Sequence, residues 1–183
     1  MLLRARGRAH RRIDLGEVER AVAALELPEA VFKTCPWQPR ELVDTGLRQW
    51  LRCCGAAMRD GQVIGMPSHA VDEAWHGLIL CTERYAAFCT AAYGRFLHHF
   101  PDGDNFVRPG THPGPGPGSM SEQLGRTVVA WSLVARPGEQ AVLWDLDRKV
   151  GVDHPWGIDA ARVTAIEAEL TRPVDVDERD HHR

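Results

Sequence analysis

The punctuation of this chain constrains its fold most. Apolar residues recur at helical spacing between capping residues and breakers, and no β-rich run is long enough to build a large sheet. Asp14 is placed to cap a helix reaching Leu25, with Leu15, Val18, Ala21, Val22 and Leu25 on one face. Pro28 suits the first turn of a short helix ending at Phe32. A long helix is expected from Pro39 to Arg59, with Leu42, Val43, Leu47, Trp50, Leu51 and Cys54 as its apolar stripe, ended by Asp60-Gly61. Ser68 caps the next helix, which runs to Leu80 or Cys81. Thr82 opens another that Gly94 terminates. Arg95 to Phe100 reads as extended, stopped by Pro101. Further helices are expected at 121–135, Glu139–Val150 and Asp159–Leu170. The expectation is an all-α bundle of six or seven helices.

The 183 residues suit one domain, at 13–172, between a basic stretch at 1–12 and a charged tail at 173–183. Residues 101–118, rich in proline and glycine, read as a surface loop. The acidic run Asp102-Gly103-Asp104-Asn105 lacks the spacing and closing glutamate of a calcium loop and reads as a turn. A hydrophobic share of 44% is globular, and the net charge of −3 argues against a nucleic-acid partner despite five arginines in the first twelve residues. No apolar run reaches the roughly 18 residues of a membrane span, and the start lacks a secretory core. Five cysteines make no disulfide framework, so the expected compartment is the cytoplasm. Only Lys33 and Lys149 among 22 basic residues are lysine, a usage that fits a GC-rich, bacterial genome.

One constellation has the make-up of a site. Asp72 and His76 stand four apart on one helix face, about 6 Å apart along the axis. Two readings fit. The pair ligates a divalent metal, or Asp72 fixes the imidazole as a structural partner and the domain is a metal-free interaction module with a protein partner. A metal needs three or four ligands. His69 is about 10.5 Å along the axis from His76 and ranks lower. Cys89, His98 and His99 join only if the chain turns back near Thr82. A straight helix would hold Cys89 about 20 Å from His76. His98 and His99 are adjacent in an extended segment, so one of the two points inward. Carboxylate, imidazole and thiolate together suit zinc first and iron second. Cys89 beside a histidine also has the make-up of a nucleophilic pair, but no oxyanion-hole motif accompanies it. Cys53 and Cys54 read as core. Trp50, Trp75, Trp131, Trp144 and Trp156 read as core or interface anchors, and Asp145 and Asp147 as solvated.

The segments PSHAVDEAWHGLIL, CTERYAAFC and YGRFLHHFP, spanning residues 67–101, resemble the glycine-rich domain-containing protein-like family, with an echo in LWDLDRKVG at 143–151. The resemblance implies a small helical protein of its bacterial branch, whose members have no settled activity. It carries over to Asp72, Trp75, His76, Tyr85, Cys89, Gly94, His98 and His99. Plant relatives often carry a second histidine where this chain has Leu78.

Overall fold

The computed structural model describes residues 12–33, 35–99 and 118–171. The arginine-rich start to residue 11, the 100–117 part of the proline- and glycine-rich loop and the charged tail lie outside the described residues. The described residues form seven α-helices and one short 3-10 turn, with no strand, so the fold is all-α. No helix among them is long and apolar enough to cross a membrane.

Helix α1, Leu15–Ala24, begins where the Asp14 carboxylate accepts from the N–H groups of Gly16 (2.7 Å) and Glu17 (3.2 Å). It buries Val18 and Val22. The turn Glu29–Phe32 follows Pro28. Helix α2, Arg40–Arg59, packs against α1 and most of the later helices through Val43, Leu47, Trp50, Leu51 and Cys54, as its stripe predicts. Arg48 ties α2 to the end of α1 by donating to the carbonyls of Val22 (2.6 Å) and Leu25 (2.8 Å). The Val22 carbonyl also accepts from the Leu25 N–H (3.3 Å), and both carbonyls lie at the helix C-terminus, where a cation is favoured by the macrodipole.

Helix α3, His69–Leu80, and helix α4, Thr82–Tyr93, are separated by Cys81 alone. Cys81, not Thr82, is the cap residue of α4, and its φ and ψ of −79° and 58° turn the chain back. Gly94 closes α4 at φ +66°, a left-handed position that glycine takes without steric penalty. Gly77 on α3 has a different reason. A Cβ there would meet the Val31 carbonyl oxygen at 2.1 Å, so the 3-10 turn lies directly on the helix backbone.

Helix α5, Met120–Val134, opens with a capping box between Ser119 and Glu122. Helix α6, Leu146–Val150, and helix α7, Ala160–Thr171, complete the bundle. Val128, Ile158 and Val163 form a small separate core between α5 and α7.

Two further expectations fail. The helix expected over Glu139–Val150 is reduced to α6. The buried Gln49 amide donates to the Gln140 carbonyl (2.9 Å) and accepts from the Val142 N–H (2.8 Å), taking backbone groups that a helix would use internally. Arg52, also buried, holds the Glu139 carboxylate, donates to the Val134 carbonyl (3.1 Å) and lies over the Trp131 ring. The second failure is Asp147, which is not solvated but wholly buried. Its carboxylate accepts from Ser68 Oγ (2.6 Å) and from the N–H groups of His69 (2.9 Å), Ala70 (3.1 Å) and Trp156 (2.8 Å). Asp145 stays half-buried and pairs with Lys149. Of the tryptophans, Trp50, Trp75 and Trp131 are buried anchors and Trp144 is half-buried. Trp156 remains exposed.

Asp147→Ala strands four donors at once. Unsatisfied buried groups cost about 1–3 kcal/mol each before relaxation. Water entering the gap recovers part of that, so urea unfolding should show a loss of about 3 kcal/mol or more. A second expectation concerns acid. Burial opposes ionisation of Glu139, but hydrogen bonds from Arg52 and the Arg136 N–H outweigh it and hold the carboxyl below its ordinary value. A depressed folded-state pKa gives stability that is present above the unfolded value of about 4.3 and lost as pH falls through the lower folded value. Glu139→Gln should be less stable than the parent at neutral pH, with the gap narrowing along that acid limb of the unfolding curve.

Candidate metal centre

Asp72, His76 and His99 come together on the exposed edge of α3. One ligand atom from each lies within 4.8 Å of the other two. Asp72 and His76 meet because they are one turn apart, with Nδ1 of His76 3.6 Å from the carboxylate. His99 arrives from the segment after α4, placing Nε2 3.3 Å from the other carboxylate oxygen of Asp72. The two imidazole rings lie 4.5 Å apart, tilted by 52°. Their side chains are unequally covered: Asp72 is 16% exposed, His99 19% and His76 42%.

A short chain of bonds delivers His99. The Trp75 indole N–H donates to the Tyr85 hydroxyl (3.2 Å), which donates to the Leu97 carbonyl (2.7 Å). The Leu97 backbone also hydrogen bonds to Cys89. Leu97 is thereby fixed against α4, two residues before His99; both are half-buried while His98 between them is exposed, so His99 turns to the same side as Leu97. The Trp75 ring then backs the His99 ring at 4.8 Å and packs on Trp50 at 5.8 Å.

The remaining candidates fall elsewhere. His98 points out, with its ring 5.0 Å from Phe96. His69 lies 3.7 Å from Glu73 and between the rings of Trp37 and Trp156. Cys89 is wholly buried and joins no group of three potential ligands among the described residues. Burial raises its thiol pKa, against opposing bonds from the Leu97 backbone and Tyr85, and a neutral thiol is a poor ligand. Cys53 and Cys54 are core, as expected, and all five cysteines are free thiols.

Residues 28–104 match the family model described as UCP032817-like. That description names no activity. The matched stretch takes in α2, α3, α4 and all three clustered residues, and ends before α5. No curated protein and no solved structure matches the chain.

A turn near Thr82 lets Tyr85, like Cys89, face α3, but the sequence assigns Tyr85 no role. Its signal is a tyrosine on the buried face of a helix, whose hydroxyl needs a partner once covered, as does that of Tyr93, which donates to the Leu51 carbonyl (2.8 Å). Tyr85→Phe should keep the ring packing but leave the Leu97 carbonyl and the Trp75 N–H without their partner. The expected cost is about 1–2 kcal/mol in urea unfolding, with faster amide exchange over residues 95–99. An unchanged exchange pattern there would contradict the anchoring role.

Proposed function

We propose that the protein binds a divalent metal through Asp72, His76 and His99, zinc first and iron second. The observation that carries this reading is the approach of one donor atom from each residue to within 4.8 Å of the others. One carboxylate with two imidazoles is a donor set used by zinc and by non-haem iron centres. The departure of Cys89 removes thiolate from the set and leaves hard and borderline donors alone. The buried support also favours it: Trp75 backs His99, and the Tyr85–Leu97 bond orients the segment that carries it. Supported ligands of this kind are the ordinary companions of a metal site.

A second reading has its own observation. The 3.3 Å approach of His99 to Asp72 is within hydrogen-bond range, so Asp72 can serve as a clasp between α3 and the following segment. The domain would then be an interaction module for a protein partner.

Metal analysis of untagged protein after zinc loading and desalting separates the two. The metal reading expects one zinc per chain, lost in His76→Ala and in His99→Ala. A ligand that binds only the folded state at about a hundred times its dissociation constant stabilises by about 2.7 kcal/mol, so zinc should raise the melting temperature of the parent but not of the variants. Absence of bound zinc and of bound iron, with both variants less stable than the parent, would establish the clasp instead.

A further inference from the structure

We infer that this centre is open, and that it exchanges a bound water for a small anionic oxygen ligand of the carboxylate or hydroxamate class. The inference rests on the metal reading above. Structural zinc sites are closed by four protein donors, whereas sites that exchange ligands keep a position free. Among the described residues, three donors converge and no further cysteine, histidine, aspartate or glutamate joins them. The nearest candidates by sequence among the described residues have other partners. Cys89 is engaged by Leu97 and Tyr85, Glu73 faces His69 at 3.7 Å, and His98 turns to Phe96.

The direction of the opening follows from the cover. Trp75 closes the inner side against His99, and Asp72 is largely covered, while His76 is 42% exposed. The free position therefore lies on the His76 side, toward solvent. Charge selects the ligand. A divalent ion with one carboxylate and two neutral imidazoles keeps a net charge of about +1, which favours an anionic oxygen over a neutral or cationic group. In the exchange, the metal–water bond breaks and a metal–oxygen bond to the anion forms. With a hydroxamic acid, its proton passes to solvent. No electron is transferred.

Cobalt(II) substituted into the full chain gives a visible spectrum that reports the coordination shell, and acetohydroxamate is the probe. The expected result is one cobalt per chain whose bands shift saturably with acetohydroxamate and not with neutral acetamide, the cobalt remaining bound after desalting. Bound cobalt whose bands stay fixed would mean a closed site. It would overturn this inference while leaving the metal reading intact. Cobalt stripped into the filtrate by the probe, or an equal response to acetamide, would also overturn it. Failure to bind cobalt, or binding that survives in the His76→Ala/His99→Ala double variant, would remove the metal reading and this inference together.

Discussion

The buried carboxylate of Asp147 is the constraint on which the arrangement of α3 depends. A helix N-terminus carries unpaired N–H groups and the positive end of the macrodipole. Here two of those groups, from His69 and Ala70, point into the protein and are met by a carboxylate from α6. Ser68 adds its hydroxyl to the same carboxylate while also accepting from the Val71 N–H. The remaining bond, from the Trp156 N–H, draws the loop before α7 onto the same point. The start of α3 is thus fixed to the C-terminal part of the chain, and the 3-10 turn lying on Gly77 fixes its middle. A helix held at both places has little freedom to rotate. The face that carries Asp72 and His76 is thereby kept at the surface.

The third member is set from the other direction. His99 lies in an irregular segment, which no helix ladder supports. Its position is inherited from α4 through Leu97, and from α3 through Trp75, so the same two helices that frame the cluster also supply its support. This explains the division of labour among the residues of the 67–101 stretch. Asp72, His76 and His99 present polar atoms outward. Trp75, Tyr85 and Cys89, interleaved with them, face inward and hold the frame.

Much of the helical frame was legible in the sequence because its ends are chemically marked. Asp14, Ser68 and Gly94 each stand at the boundary their chemistry suggests. What escaped was decided by distant partners. Nothing near residues 139–145 announces that Gln49 will take their backbone groups from ninety residues away. Asp145 and Asp147 look alike locally, and only the position of the α3 N-terminus makes one a surface residue and the other a buried cap. The candidate site divides the same way. The Asp72–His76 pair follows from helical spacing alone. Alternation says that one of His98 and His99 turns inward but not which one, because the phase is set by Tyr85 bonding Leu97. Cys89 had suitable chemistry, and its burial assigned it to packing.

Gathering three donors from a flexible chain costs conformational entropy, and a metal that must itself order them binds less tightly for it. Here the ordering is done by bonds that involve none of the three donor side chains: the Asp147 cap, the Gly77 contact and the Trp75–Tyr85–Leu97 chain. Asp72 already stands between the two imidazoles, with one oxygen toward each. A metal entering such a frame displaces at most one weak imidazole–carboxylate bond and inherits the rest of the geometry. The clasp and the proposed metal centre would therefore be two uses of one carboxylate, resting on the same buried scaffold.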